Sequence, residues 1–284
     1  MMDIRTLLHQ TTRKLAAGGS PSPRLDAEVL LMSFLKTDRL QLCVHPERIL
    51  TEEECAGFSL WVDRRRQGEP VAYITGEKEF WSLLFEVNRD VLIPRPETEC
   101  LIEEVLKYYG PESDDLRIID IGTGSGAIGV ALAVEIPAAI VVATDISRGA
   151  LEVARRNADR HGAAGRMEFF EGSLFTSAVG EVDVIVSNPP YIPDDVYPLL
   201  PEGIRAFEPR EALIAGPDGA AFHRKIIREG AGLLKPGGRI FLEIGEGQKG
   251  LVDSLFRDEG CYTDIYFRKD YGGMERVAAA RRKI

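Results

Sequence analysis

The chain lacks what would tie it to a metal, a membrane or a polyanion. Its four cysteines, Cys43, Cys55, Cys100 and Cys261, are scattered with no Cys-x-x-Cys pair, and its four histidines fall at no metal-ligand spacing. Free thiols and no bound metal are expected. No stretch approaches the roughly 20 uninterrupted apolar residues of a membrane helix, and Met1-Met2-Asp3-Ile4-Arg5 lacks the apolar block of a signal peptide. A cytoplasmic protein with no membrane contact is the expectation. Basic charge is also scarce: the net charge is −10, with 12 basic against 14 acidic residues over 1–90 and 23 against 31 beyond. Proteins that hold nucleic acid neutralise its phosphates with concentrated Lys and Arg, so this balance argues against direct nucleic-acid binding. The dense basic runs, Arg64-Arg65-Arg66 and Arg281-Arg282-Lys283, lie near the ends of elements and read as solvated cationic termini. No internal repeat or low-complexity segment is present.

What is there is enough apolar residue, 44% of 284, to fill one large core or two ordinary ones. The first 70 residues read as helices. Ile4, Leu7, Leu8 and Leu15 share a helical face that ends at Gly18-Gly19-Ser20-Pro21. Leu25, Val29, Leu30, Phe34 and Leu35 give a second face, and Thr51 with Glu54 makes a capping box for a third helix. Short extended pieces follow, with Phe85 and Val87 before Asn88-Arg89-Asp90 and Val91 and Ile93 after it, and they predict a hairpin linker over 71–97. Thr98 or Glu97 can open the next helix. From Leu116 strands near 116–121, 139–144, 166–170, 182–187 and 238–244 alternate with helices, the pattern of an α/β doubly wound, mostly parallel sheet. Two final extended segments without an intervening helix predict an antiparallel edge. The organisation expected is therefore a small helical domain over 1–70, the linker, and an α/β domain over 98–284.

Two loops of that domain carry chemistry. Arg117-Ile118-Ile119-Asp120-Ile121 runs into Gly122-Thr123-Gly124-Ser125-Gly126-Ala127 and then an apolar helix, the strand, glycine loop and helix of a nucleotide site. Asp145 ends the next strand, where a carboxylate meets ribose hydroxyls in such folds. The loop also fits the dinucleotide pattern Gly-x-Gly-x-x-Ala, which leaves a nicotinamide-dependent reading open. Asp120 favours another cofactor, because a carboxylate before the loop repels pyrophosphate and suits the ammonium and sulfonium of S-adenosyl-L-methionine. The second loop, Asn188-Pro189-Pro190-Tyr191, follows the apolar strand Val182 to Val186. Neither proline has an N–H, the Asn188 amide oxygen adds an acceptor, and Tyr191 adds a flat face. Such a wall suits a planar group bearing an amino substituent, either a carboxamide or a nucleobase.

The combination of Asp120 to Gly126, Asp145 and Asn188 to Tyr191 resembles class I S-adenosyl-L-methionine methyltransferases acting on planar amino nitrogens. Within them it is most similar to the peptide chain release factor glutamine N5-methyltransferase family. Arg24-Leu25-Asp26-Ala27-Glu28, Gly68-Glu69-Pro70, Ile93-Pro94-Arg95-Pro96-Glu97-Thr98-Glu99, Phe207-Glu208-Pro209 and Asp270-Tyr271-Gly272 extend the resemblance over nearly the whole chain. It implies a cytoplasmic, monomeric enzyme whose helical N-terminal domain recognises a release factor. It also implies that Gly122, Thr123, Gly124, Ser125 and Gly126 wrap the methionine part of the cofactor and that Asp145 binds its ribose. Leu174 would cover the adenine, although relatives place an acidic residue where this chain has Ser173. Asn188, Pro189, Pro190 and Tyr191 would hold the glutamine amide. A ribosomal-protein glutamine methyltransferase and an adenine N6-methyltransferase on nucleic acid share the same chemical loop and stand as alternatives.

Overall fold

A computed structural model describes residues 2–173 and 180–284. The chain divides into two compact units, Met1–Glu77 with Pro201–Phe207, and Lys78–Leu200 with Glu208–Ile284. The first is helical: β1 (Met2–Asp3), α1 (Ile4–Ala17), α2 (Pro23–Leu35), α3 (Arg39–Val44), β2 (Ile49–Leu50), α4 (Glu52–Arg66) and α5 (Val71–Thr75). α1 buries Ile4, Leu7, Leu8 and Leu15 against Leu30 and Leu31 of α2 and Phe58 and Val62 of α4. The capping box at α4 is formed from both sides: Glu54 N–H donates to Thr51 Oγ1 at 3.0 Å and Thr51 N–H to Glu54 Oε2 at 2.9 Å.

Helix α2 departs from its predicted face. Leu25 is 56% exposed, while Asp26 and Glu28 are buried. They are buried because they are paired: Asp26 accepts from Ser20 Oγ at 2.6 Å, Ser22 Oγ at 3.0 Å and Arg65 Nε at 2.7 Å, and Glu28 faces Arg24 at 2.5 Å and Arg39 at 3.1 Å. The same contact corrects, for Arg65, the reading of Arg64-Arg65-Arg66 as a solvated terminus; the run does close α4, and Arg66 is exposed. Arg65 is nearly buried on Asp26, and Arg64 grips Glu69 through Nε at 2.7 Å and a terminal nitrogen at 2.9 Å.

The second unit begins at a hairpin of β3 (Glu77–Phe80) and β4 (Leu83–Glu86). Its turn is Trp81-Ser82, not Asn88-Arg89-Asp90. Both turn residues have positive φ, 53° and 57°, which neither residue type announces. The Trp81 main-chain N–H donates to Glu99 at 2.8 Å and its indole N–H to Glu135 at 2.7 Å, so distant carboxylates hold the turn.

There follow α6 (Glu99–Leu106), β5 (Arg117–Ile121), α7 (Ala127–Glu135), β6 (Ile140–Asp145), α8 (Arg148–Arg160), β7 (Met167–Glu171) and β8 (Val182–Ser187). After α9 (Glu202–Phe207), which belongs to the first unit, come α10 (Ala221–Leu233), β9 (Leu234–Glu243), α11 (Lys249–Glu259), β10 (Tyr262–Lys269) and β11 (Glu275–Arg282). The seven strands lie in the order β10-β11-β9-β8-β5-β6-β7. β9 through β7 are parallel, and β11 is antiparallel to both its neighbours. Strand β9 starts four residues earlier than predicted, because it runs through Lys235-Pro236-Gly237-Gly238 with a register irregularity opposite Val182 and Val184. Alternate residues serve opposite faces: Ile118, Val141, Val184 and Phe241 pack with α6 and α7, and Ile119, Val142, Ile185 and Ile240 with α10 and α11. β6 and β8 flank β5 on opposite sides, so the chain reverses its winding there and the carboxyl ends of the strands part to form a crevice.

Removing one partner of a nearly buried pair strands the other charge, whereas losing an exposed cap forfeits one hydrogen bond. Asp26→Ala should lower folding stability by about 3 kcal/mol and Thr51→Ala by about 1 kcal/mol. Urea unfolding of both variants checks the ranking.

Candidate functional site

The glycine loop leaves β5 with three positive φ values, 69° at Gly122, 56° at Gly124 and 81° at Gly126. A Cβ at Gly122 or Gly124 would meet no atom within 4 Å, whereas one at Gly126 would stand 3.1 Å from Cβ of Ala154 in α8. The first two glycines keep a cradle open, and the third lets two helices approach. Main-chain N–H groups of Gly122 and Thr123 both donate to the Thr144 carbonyl at 2.9 Å. Asp145 closes the ring: its two oxygens accept from Gly124 N–H and Ser147 N–H, each at 2.9 Å. Burial raises its carboxyl above the usual range.

Asp120 lies beneath this loop rather than on its open side. Its Oδ2 accepts from Thr123 Oγ1 at 2.6 Å and from Gly129 N–H at 3.0 Å, and burial pushes its pKa up to about 6. It braces the turn into α7. Asn157 of α8 is a brace that the sequence reading missed: its amide donates to the carbonyls of Ser125 at 2.8 Å and Glu86 at 3.0 Å and accepts from Glu86 N–H at 2.7 Å.

A cavity of about 230 Å³ opens at the crevice. Gly122, Thr123, Gly124, Ser125 and Asp145 line one side, and Asn188, Pro189 and Pro190 line the other. Gly126 and Tyr191 do not line it. Gly126 is a packing residue, as its distance to Ala154 requires. The expectation of a Tyr191 ring facing the cavity is likewise corrected, because its hydroxyl donates to Glu243 Oε1 at 3.2 Å and its carbonyl accepts from Gln248 Nε2 at 3.0 Å. Leu174 lies outside the described residues, and Ser173 beside it is exposed.

The Asn188 amide is fixed by a chain of hydrogen bonds. Its Nδ2 donates to Thr98 Oγ1 at 3.1 Å, and Thr98 Oγ1 donates to Glu243 Oε2 at 2.6 Å. Thr98 does stand at the N-cap of α6, as read, but its hydroxyl serves this chain of hydrogen bonds and caps no helix N–H. Glu243 is buried at the end of β9, and burial raises its carboxyl to about 7 against the opposing pull of Thr98, Arg276 and Tyr191. Gln248 fastens the surrounding loops, accepting from Gly245 N–H at 2.8 Å and donating to the carbonyls of Tyr191 and Gly219 at 3.0 Å. Glu208 accepts from Ile93 N–H at 3.3 Å and pairs with Arg95 at 2.5 Å, so the Phe207-Glu208-Pro209 and Ile93 to Glu99 motifs meet.

Two family models match the chain, the PrmC N-terminal domain over residues 6–76 and the Methyltransferase small domain over residues 97–197. It is 43% identical over 283 residues to the release factor glutamine methyltransferase of Moorella thermoacetica, covering 99% of each. It is 45% identical over 284 residues to that of Coxiella burnetii, covering 99% of this chain and 100% of that one. The chain belongs to the release factor glutamine methyltransferase family. A methyltransferase from Pyrococcus furiosus (22% identity, TM-score 0.55, 78% of this chain and 100% of that) shares the fold, as does the hMettl16 catalytic domain (16%, 0.58, 82% of each).

As a member of this family the protein is an S-adenosyl-L-methionine-dependent methyltransferase, and its residues fit that cofactor. The two glycines whose Cβ positions are empty leave room for a ligand against the backbone. Each Asp145 oxygen has accepted one main-chain hydrogen and keeps a lone pair for a hydroxyl. The cavity joins this cradle to the Asn188 loop.

The two kinds of glycine should separate on substitution. Gly124→Ala should weaken cofactor binding about tenfold with a stability loss of about 1 kcal/mol, because its methyl enters the cradle. Gly126→Ala should lose about 2–3 kcal/mol of stability, because its methyl meets α8. Calorimetric titration with the cofactor and urea unfolding read the two effects.

Proposed function

We propose that the protein transfers a methyl group from S-adenosyl-L-methionine to the side-chain amide nitrogen of a glutamine, the one in the Gly-Gly-Gln tripeptide of peptide chain release factors. The observation that carries this reading is the polarity of the Asn188 loop. Asn188 commits its Nδ2 to Thr98, which leaves Oδ1 as its free end, and the prolines beside it contribute carbonyls and no N–H. A glutamine amide brings two N–H donors to such a wall.

S-adenosyl-L-methionine supplies an electrophilic methyl carried by a sulfonium. The nitrogen that attacks is a poor nucleophile, since its lone pair is delocalised into the carbonyl. Asn188 Oδ1 and the Pro189 carbonyl accept the two amide hydrogens and so fix the direction of that lone pair. As positive charge grows on nitrogen both hydrogen bonds strengthen, which is stabilisation specific to the transition state. Alkylation makes the nitrogen acidic, and it releases its proton afterwards without a dedicated base. Alignment of this kind is worth roughly 7–11 kcal/mol in favourable cases, more than the ~10²–10⁴-fold of a single proton-transfer group. Pro190 keeps donors off the wall, and Tyr191 supports the loop from behind. Gly122, Thr123, Gly124, Ser125 and Asp145 hold the cofactor, with Gly126 setting the helix that follows.

In this reading residues 1–70 recognise the release factor, 71–97 link, and 98–284 catalyse. A cytoplasmic monomer without direct contact to nucleic acid goes with it. Among the described residues no helix is long and apolar enough to cross a membrane.

Asn188→Ala should lower kcat roughly 10²–10³-fold and leave cofactor Kd within about threefold. The assay is methyl transfer to purified release factor, read by mass spectrometry of the Gly-Gly-Gln peptide. Near-normal turnover would refute the role of Asn188, and an unmodified release factor beside a methylated ribosomal protein would move the substrate to the ribosome.

A further inference from the structure

An asparagine amide presents an acceptor at one end and a donor at the other, and rotation by half a turn exchanges them with little change of shape. A wall that must accept hydrogens needs something to forbid the exchange. Packing alone cannot, since the two ends are nearly the same size. Only the hydrogen-bonding demand of the neighbour can, and the neighbour of Asn188 is the hydroxyl of Thr98, 3.1 Å away.

That hydroxyl has one hydrogen, and Glu243 Oε2, 2.6 Å distant, receives it. With its hydrogen engaged, Thr98 Oγ1 is left with lone pairs only, so it can meet Asn188 Nδ2 and not Oδ1. The direction of the bond is set by Glu243, whose ionised carboxylate has no hydrogen to give. Tyr191 donates to the other oxygen at 3.2 Å, so both carboxylate oxygens act as acceptors. Glu243 is 1% exposed, and Thr98, which lines the cavity, is 4% exposed, so both groups are largely withdrawn from bulk water.

We propose that Thr98 and Glu243 are positioning residues that fix the polarity of Asn188, holding its amide oxygen rather than its NH₂ toward the substrate. This rests on the assignment of Asn188 as the group that binds the substrate amide. Neither residue touches the reacting atoms in this scheme. Protonated Glu243 carries a hydrogen of its own and can donate it to Thr98, which frees the threonine hydrogen to turn toward Asn188. The asparagine then rotates, and the wall offers a donor to a substrate that already brings donors. The active form is the ionised one.

The groups around Glu243 leave it free to titrate in the neutral range. Burial raises it to about 7, and Glu97 pushes in the same direction. Arg276 opposes, itself held by Asp270 at 3.1 Å. Tyr191 is raised well above its ordinary value by burial and by Glu243, and stays protonated. The Cys100 thiol of α6 is raised by burial, with Glu243 adding to it. His223 of α10 reaches the Glu243 main-chain carbonyl with Nε2 at 2.7 Å, and burial lowers it to about 4, so it remains neutral. Asp120, beneath the glycine loop and bonded to Thr123 and Gly129, is also raised by burial, to about 6.

The test is a set of variants assayed on purified release factor. Thr98→Val keeps the shape and removes the hydroxyl: kcat should fall at least about tenfold with cofactor Kd close to wild type, and the melting temperature should drop by several degrees because Glu243 loses a donor. Thr98→Ser restores the hydroxyl and should recover kcat to within about threefold. In wild type kcat should rise with pH in the neutral range as Glu243 ionises, and in Glu243→Gln, which cannot ionise, that rise should be absent. The proposal is overturned if Thr98→Val turns over within about twofold of wild type, if Thr98→Ser fails to recover, or if the rise in the neutral range survives in Glu243→Gln. Should Thr98→Val not fold, the pH profile of Glu243→Gln decides alone. An active Asn188→Ala would instead overturn the assignment of Asn188 itself, so the two failures are distinguishable.

Discussion

Asp120, Asp145 and Glu243 sit at the carboxyl ends of β5, β6 and β9, and the loops around the cavity hang from them. Strand ends of this polarity present carbonyls, so carboxylates there need donors to be tolerated. Each finds them in the loop or helix start that follows or faces it: Asp120 in Thr123 and Gly129, Asp145 in Gly124 and Ser147, Glu243 in Thr98 and Tyr191. The cost of burial shows in all three being raised above ordinary carboxylates, with desolvation as the first cause. The return is definition. Main-chain segments that would otherwise be free to move are held by acceptors rooted in the most rigid part of the molecule, the parallel sheet.

This arrangement explains which parts of the site could be read from residue order. The glycine loop and Asp145 were legible because strand, loop and helix are consecutive in the chain, and backbone needs alone select glycine at two of the positions. Asn188 was legible as a cavity residue because its neighbours are prolines, whose missing N–H groups are a property of composition and not of folding. Thr98 and Glu243 were invisible as partners: 145 residues separate them, and each has an ordinary local reading, one as a helix opener and the other as a strand end. Gln248, 57 residues from the Tyr191 carbonyl it holds, is the same case. Tyr191 and Gly126 belong to those same motifs but do not line the cavity, since a motif fixes which residues are adjacent and not which of them reach a site.

The fold shows the same division. The order of strands and helices follows from alternation of periodicity, and the antiparallel end follows from two strands with no helix between them. What failed were places where a partner far away overrides local preference. Asp26 and Glu28 turn inward on α2 because Arg65, Arg24 and Arg39 meet them, displacing Leu25 to the surface. The hairpin turns at Trp81-Ser82, in a backbone region usually left to glycine and asparagine, because Glu99 and Glu135 take the tryptophan's two N–H groups.

If Asn188 binds the substrate amide as proposed, the indirect placement of charge behind it has a physical logic. A carboxylate in place of Asn188 would accept amide hydrogens more strongly, but it would also stand as a full negative charge beside a cationic cofactor and be drawn to it. It would then titrate with every change in its surroundings. An amide oxygen and a prolyl carbonyl are neutral acceptors whose bonds strengthen only as the substrate nitrogen becomes positive, so they discriminate transition state from ground state. The price of neutrality is ambiguity, because an amide can turn over. In the proposed arrangement the ionised group set one hydroxyl away resolves it: Glu243 would fix the direction of the hydrogen bond through Thr98 while its charge stays buried behind that hydroxyl, within the field of Arg276.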